Sequence, residues 1–373
     1  IIVFMKDKGD FSQGSIPSNV YRLALPIILA ELVQVTYNIV DRIYIGHIKD
    51  CGTEALTGMG LVLPFVTIIT AFANLCSYGG ATLSAIARGQ KDDVKAQKIM
   101  ENSFTLLCVS GLLLTAFFYF FTSPLVMLFG GDEQTTFYAC QYFDIYLTGT
   151  VFVLVSLGMN SFINMQGFSV TGMFTVVIGA VLNIILDPVL IFVFDMGIRG
   201  AAVATVISQF FSALWVVLFL TKKNIALHIS RLYLDKKTTS EIVKLGVSGF
   251  LFKATNSIAQ AVSNTTLRLF GGPLGTVYIA SMSVINSLRE IVYQPVMGFI
   301  EGAKPVLSYN FGAKKYSRVN KSTDFTVTGG NNDEYCKIND MLIEWNPLFN
   351  QIKTKDYAKK LHIFLDSEYQ KFT

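Results

Sequence analysis

Two carboxylates lie inside long apolar stretches of this sequence, where charged side chains are rare. Asp41 lies near the end of the first predicted membrane span, and Asp187 lies near the end of the fifth. Asn183 precedes Asp187 by one helical turn on the same face, and Thr205 lies early in the sixth span. At about 1.5 Å per residue, all four lie in the outer half of the membrane. Two carboxylates with neutral oxygen ligands nearby are what a buried proton or cation site needs.

Each of these residues also has an ordinary structural interpretation. Asp41 is compatible with an interfacial ion pair, since Arg42 follows it, and Asp187 before Pro188 is compatible with a simple helix end. The two neutral residues, taken alone, are typical of hydrogen bonding between helices. Pro188 disfavours α geometry at Asp187, and it lacks the N–H that would bond the carbonyl of Ile184. We therefore expect a helix break there that leaves a carbonyl oxygen available to an ion.

The apolar stretches that hold these residues are long and numerous. Charged residues make up 15% of the 373 residues and hydrophobic residues 52%, whereas soluble domains carry about a quarter charged residues. A spanning helix needs about 20 mainly apolar residues, and residues 145–186 contain no charge at all. The sequence predicts an all-α polytopic membrane protein. Its predicted spans are residues 21–46, 55–87, 101–129, 137–162, 170–194, 200–221, 245–269 and 276–309.

Lysine and arginine are concentrated on one side of the predicted spans. They lie in the N-terminal segment, in the loops after spans two and six, and after span eight. The positive-inside rule then places the N-terminus and the loop after span six in the cytoplasm, in a multi-pass protein of the cell (inner) membrane. The sequence has no nucleotide-binding loop, no basic aromatic tract and no metal-ligand spacing among its cysteines. We therefore expect no nucleic-acid partner, no ATP as direct energy source, no dedicated metal site and no enzyme.

One long segment of the sequence occurs twice, with a nearly constant offset between the copies. Polar residues at steps of three, four and three lie on one helical face in each copy. The first set is Glu31, Gln34, Asn38 and Asp41, and the second is Lys253, Asn256, Gln260 and Ser263. The end of the second span repeats as well, with the offset longer by one position: Arg88-Gly89-Gln90-Lys91 corresponds to Phe311-Gly312-Ala313-Lys314.

The repeated polar faces predict a central cavity between the two copies. Glu31 and Lys253 occupy equivalent positions and are predicted to face each other across this cavity, either as a salt bridge or as substrate contacts. The remaining residues assigned to the cavity are Gln34, Asn38, Asn256 and Gln260.

The repeat also predicts the organisation of the chain into lobes. The expected domains are a cytoplasmic segment (1–20), a six-helix N-lobe (21–222), an inter-lobe loop (223–244), a partial C-lobe of two helices (245–319) and a soluble tail (320–373). The tail lacks an apolar run long enough to span, although 346–372 fits an amphipathic helix. It is either a genuine soluble addition or foreign sequence joined near 319–320.

Several ordered motifs resemble those of one transporter family, the multidrug and toxic compound extrusion (MATE) family. Asn183-Ile-Ile-Leu-Asp187-Pro188 and the following 197–205 segment, Gly-Ile-Arg-Gly-Ala-Ala-Val-Ala-Thr, resemble its fifth and sixth helices. Asp41 with Gly46 resembles the end of its first helix. The end of its eighth is matched by Glu301-Gly302, Pro305 and Tyr309-Asn310-Phe311-Gly312-Ala313. The resemblance covers about residues 17–319.

The resemblance implies two six-helix lobes around a V-shaped cavity, in a protein that exchanges cationic amphipathic compounds for protons or sodium ions. It implies that Asp41, Asn183, Asp187 and Thr205 form the coupling site, with H⁺ or Na⁺ as the coupling ion and no other cofactor. We expect a monomer in the lipid bilayer. The sequence departs from the family by lacking helices nine to twelve. Alternatives are a lipid-linked oligosaccharide flippase of the same superfamily and a non-transporting fragment or membrane anchor.

Overall fold

The computed structural model describes residues 9–49, 51–129, 131, 133–272 and 275–328. Across these ranges the regular structure is helical throughout, without a β-strand. Five of the helices are long and apolar enough to cross a membrane, or six if one bent pair counts as a single span. The predicted all-α polytopic membrane fold is confirmed.

The helices follow the predicted spans closely. They are α1 Ile16–Gly46, α2 Gly52–Leu75, α3 Thr82–Gly89, α4 Asp93–Leu128, α5 Glu133–Thr148, α6 Thr150–Met165, α7 Ser169–Pro188, α8 Ile198–Leu220, α9 Lys236–Phe270, α10 Gly275–Gly312 and α11 Tyr316–Thr328. Helices α9 and α10 are not among the helices that are long and apolar enough to cross a membrane. In α9 the polar face with Lys253, Asn256 and Gln260 lowers the mean hydropathy, so its membrane crossing stays a prediction.

The predicted fourth span is not one straight helix. It consists of α5 and α6, which are bent by 59°. The break lies at Gly149, where α8 approaches closely enough that a Cβ would lie 3.0 Å from the Val206 side chain. Just before it, the Thr148 hydroxyl donates to the Ile145 carbonyl at 2.7 Å, a bond that competes with helix geometry. The predicted span 137–162 thus coincides with a bent pair of helices, and its crossing of the membrane as one span stays a prediction.

A π-helical turn, Cys76–Ala81, joins α2 to α3 within the predicted second span. Its glycine Gly79 packs against Gly246 of α9, and a Cβ there would meet backbone atoms. Gly302 of α10 is the repeat equivalent of Gly79, and it packs in the same way against Ala24 of α1, the equivalent of Gly246. The two copies of the repeat therefore pack on each other through equivalent, reciprocal helix crossings that require a minimal side chain.

Helix α11 begins at the position that the repeat predicts for a third helix of the second copy. Helix α4 starts at Asp93, and the offset found at the end of the second span takes Asp93 to Tyr316, where α11 starts. The helix runs across the boundary predicted at residues 319–320. Residues up to Val319 belong to one compact unit and those from Asn320 to another. The amphipathic helix predicted at 346–372 lies outside the described residues, as do residues 1–8 of the predicted cytoplasmic segment.

Candidate ion-coupling site

The four residues predicted from the sequence lie together where α1, α7 and α8 meet. The carboxyl groups of Asp41 and Asp187 lie next to each other. The Asn183 amide Nδ2 donates to Asp187 Oδ1 at 3.2 Å and to Thr205 Oγ1 at 3.5 Å. Asp41 is 5% exposed, Asn183 2% and Asp187 0%. The structure thus gathers the set into one buried cluster, while its role in ion coupling stays a prediction.

The cluster has more acceptor oxygens than donors. Asp41 Oδ1, Asn183 Oδ1 and Asp187 Oδ2 are buried, and none accepts a hydrogen bond within the described part of the chain. Two neighbouring buried carboxylates repel each other unless a shared proton or a bound cation offsets their charge. The donor-poor oxygen set therefore fits either a shared proton or a bound monovalent cation.

Two tyrosines that the sequence analysis missed line this cluster. Tyr37 faces both Asp41 and Asp187, and its hydroxyl accepts a hydrogen bond from Gln34 Nε2 at 3.0 Å. Tyr37 lies one helical turn before Asp41, so the helical period was a signal that could have found it. Tyr142 of α5 lies close to Thr205. No spacing in the sequence connects Tyr142 to the other residues, because its position depends on how α5 packs.

The helix that carries Asp187 widens rather than breaks. Asp187 and Pro188 are the last residues of α7, and the chain continues as a π-helical turn, Val189–Val193. The expectation that Pro188 would force Asp187 out of α geometry was wrong, since α7 runs through Pro188 before it passes into the π-helical turn. Gly200 of α8 lies against this turn, and a Cβ there would lie 2.7 Å from the Leu190 carbonyl carbon. This close contact fixes α7 against α8, the helix that carries Thr205.

A small polar cavity of about 20 Å³ adjoins the cluster. Its polar lining includes Gln34, Tyr37, Asn160, Asn183, Thr205 and Gln209. A cavity of this size holds about one water molecule, and it is far smaller than an organic substrate. It therefore lies beside Asn183 and Thr205 of the cluster without forming a drug-sized pocket. Of the residues predicted for the substrate cavity, Gln34 lines it, whereas Asn38, Asn256 and Gln260 are not among its lining residues.

The other two residues predicted for the substrate cavity belong to a second charged group. Lys253 of α9 lies within electrostatic range of Glu31 on α1 and of Glu301 on α10. Among the described ion pairs none joins Glu31 to Lys253. Glu301 instead pairs with Lys304, whose ammonium lies 3.1 Å from the centroid of the Tyr78 ring. This group connects helices of both repeat copies.

Comparisons with known proteins agree with this architecture. The MatE family model matches residues 26–189 and 254–328. Multidrug export protein MepA of Staphylococcus haemolyticus (strain JCSC1435) is 27% identical over 307 residues, which are 82% of this chain and 67% of that protein. MepA of Staphylococcus aureus (strain NCTC 8325) is likewise 27% identical over 307 residues, with the same shares of 82% and 67%.

Solved structures resemble the fold. The MATE multidrug transporter DinF-BH, solved in complex with a small molecule, is 28% identical, with a TM-score of 0.78 over 85% of this chain and 70% of that one. An outward-facing MATE transporter of the MOP superfamily has a TM-score of 0.80, with 97% of this chain and 80% of that one covered. At 20% identity this second likeness concerns the fold alone.

The family match covers parts of both copies of the repeat and most of the described chain. It continues to residue 328, past the boundary predicted at residue 319 and through the end of α11. The chain spans about two thirds of the MepA relatives, 67% of their length. The chain belongs to the MatE family, the multidrug and toxic compound extrusion transporters.

Proposed function

We propose that the chain is a cation-coupled efflux transporter, which exchanges cationic amphipathic compounds for H⁺ or Na⁺. The observation that carries this proposal is the buried carboxyl pair of Asp41 and Asp187, with Asn183 and Thr205 beside it. Relatives named as multidrug export proteins, and a MATE multidrug transporter solved with a bound small molecule, support small-molecule export as the activity.

The carboxyl pair supplies the coupling through its charge. With neither proton nor cation, two like charges oppose each other in a low-dielectric site, and the packing of α1 against α7 is disfavoured. A proton or Na⁺ neutralises the pair and draws the two helices together. Drug efflux is coupled to this step when the ion and the drug favour different conformations of the transporter, because a ligand shifts an equilibrium only by its differential affinity.

The direction of transport follows from the predicted orientation. We place the N-terminus in the cytoplasm and the chain in the cell (inner) membrane, as a monomer in the bilayer. Drug then enters from the cytoplasmic side, and the ion binds in the outer half of the membrane. The Lys- and Arg-rich loops on the side of the N-terminus support this orientation.

The decisive test replaces the coupling carboxylate without changing its shape. Asp41→Asn, expressed in a host that lacks its own efflux pumps, is expected to abolish energy-dependent ethidium efflux, because the amide can neither release a proton nor neutralise a cation. Asp195→Asn is the matched control. Asp195 is exposed and has a φ of 51°, a conformation that asparagine also tolerates.

Two outcomes count against the proposal. Undiminished ethidium efflux by the Asp41→Asn protein would show that this carboxylate does not couple transport. A parent chain that inserts normally yet exports nothing would favour the non-transporting alternative. Varying sodium at constant pH, and then pH at constant sodium, separates Na⁺ from H⁺ coupling in the parent.

A further inference from the structure

The two repeat copies meet closely on the side of the molecule that carries the basic loops, which we call the basic side. Gly89, at the end of α3, lies against Tyr309 and Ala313 at the end of α10. Gly312, which corresponds to Gly89 in the repeat, lies against Ile86 of α3. A Cβ at either glycine would meet backbone atoms. The copies therefore touch backbone to backbone here, and the basic side is closed between α3 and α10.

An N-terminal strap, residues Phe11–Gly14, lies across this closed side just before α1. Arg318, in the first turn of α11, holds it through backbone carbonyls. Its Nη1 donates to Gly14 O at 3.0 Å, and its Nη2 donates to Phe11 O at 3.2 Å and Gln13 O at 3.3 Å. Three carbonyls of a segment from the first copy thus bond to one guanidinium from the second.

Asn310 orients that guanidinium and adds a further bond to the strap. Its Oδ1 accepts from Arg318 Nε at 3.1 Å, and its Nδ2 donates to Phe11 O at 3.0 Å. The Phe11 ring is fully buried and lies edge-on to Tyr309, with centroids 5.8 Å apart. The strap is therefore fixed by directed hydrogen bonds together with one buried aromatic anchor.

A second strap, residues 227–235, has the same relation to the opposite copy. It precedes α9, the first helix of the second copy, but it is anchored on α4 of the first. Glu101 Oε1 accepts from Ser230 N at 3.2 Å, and Asn102 Nδ2 donates to Asp235 O at 3.2 Å. With the offset that relates the two polar helix faces, the N-terminal strap corresponds in the sequence repeat to the end of this segment and the start of α9. The two straps are therefore reciprocal.

We propose that Arg318 is a positioning residue for transport, which fastens the N-terminal strap and so holds the basic side closed. Its planar fork suits several carbonyls at once, which a lysine ammonium does not. Opening of this side to admit a substrate requires α3 and α10 to separate, and the strap opposes that separation until the guanidinium bonds break. The inference rests on the proposed transport cycle.

The test measures opening of the basic side without measuring efflux. Ser308, in the wall of a cavity beside Glu301 and Lys304 near the end of α10, is replaced by cysteine in a chain whose native cysteines are alanine. The protein is placed in nanodiscs, and labelling by a charged maleimide is followed. In Arg318→Ala we expect labelling about tenfold faster than in the parent, the effect of losing one or two net hydrogen bonds.

Variants and outcomes keep this test decisive. Arg318→Lys should retain little of the protection, and Lys98→Ala, which removes one exposed charge from α4, should label at the parent rate. If Arg318→Ala fails to fold, a chain that begins at Ser15 removes the strap and no helix residue, and it should label faster to a similar extent. Parent-like labelling in the folded strap variants overturns the proposal. If Arg318→Ala labels faster but the parent shows no efflux, the role of the strap is supported and the proposed function is refuted.

Discussion

At the scale of single residues, the cluster is defined by an excess of oxygen acceptors. Thr205 is the member whose contribution is easiest to isolate. Its hydroxyl donates to the Ala201 carbonyl at 3.0 Å and receives the Asn183 amide at 3.5 Å. Tyr142 of α5 lies close to the same hydroxyl. Thr205 therefore hydrogen-bonds to α7 and lies near α5, beside the carboxyl pair.

Removing that hydroxyl should weaken ion binding without emptying the site. Thr205→Val keeps the shape of the side chain and leaves the Asn183 amide without its second partner, at a cost of about 1 kcal/mol. We expect a several-fold higher H⁺ or Na⁺ concentration for half-maximal efflux, measured from ethidium efflux at a series of pH and sodium values. Thr205→Ser, which keeps the hydroxyl, should behave like the parent. Equal ion dependence of the valine and serine variants would contradict the assignment of Thr205.

Three members of this cluster were predictable from the sequence because each had a local signal. Asp41 and Asp187 are carboxylates in apolar runs, and Asn183 lies one helical turn from Asp187. Tyr142 had no such signal, since a tyrosine in an apolar helix is ordinary and only the packing of α5 brings it close to Thr205. Whether Glu31 and Lys253 form a direct ion pair likewise depends on side-chain geometry, which the sequence does not show.

At the scale of elements, the π-helical turn Val189–Val193 determines where Asp187 lies relative to α8. This turn packs so closely on α8 that only a hydrogen fits at Gly200. Gly60 of α2 offers a comparison, because nothing lies within 4 Å of a Cβ built there. Comparing substitutions at the two glycines separates the effect of close packing from the effect of helix propensity.

Substituting these glycines should therefore have opposite effects on stability. Gly200→Ala places a methyl group against the Leu190 backbone, which cannot rotate away, and overpacking of this kind costs about 1–3 kcal/mol. Gly60→Ala gains up to about 1 kcal/mol of helix propensity. Thermal unfolding of the detergent-solubilised proteins should show a lower midpoint for Gly200→Ala and an unchanged or higher one for Gly60→Ala. A Gly200→Ala protein as stable as the parent would contradict this account of the contact.

Element types were predictable from the sequence, and helix distortions were not. Apolar run length identified the helices, because spanning a bilayer requires it. The bend at Gly149 depends on the approach of Val206 from a distant helix. The effect of Pro188 depended on whether the helix would break or widen, and local preference favours a break. Tertiary packing decides these cases, and the sequence pattern of one segment carries no information on how that segment packs against distant helices.

At the scale of the whole molecule, the repeat explains which helices face each other. Gly79 against α9 and Gly302 against α1 are one contact made twice. The sequence offset predicted that two copies exist, but not that the segment before each copy would be anchored on the other. Those anchors are side-chain bonds to backbone groups of irregular segments, for which periodicity gives no signal.

The second strap gives the last prediction, because its anchor is a buried carboxylate outside the proposed ion site. Glu101 is 2% exposed, and its Oε1 accepts from Ser230 N and from Gln97 Nε2, both at 3.2 Å, while Arg231 lies 3.6 Å from Oε2. Glu101→Ala removes the acceptor of both hydrogen bonds and the partner of Arg231, at a net cost of about 0.5–1.5 kcal/mol per hydrogen bond, so the strap should detach locally. Trypsin should then cut near Arg231 about tenfold faster. Glu133→Ala, at an exposed carboxylate, should digest like the parent. Equal rates in both variants would mean that Glu101 does not hold the strap.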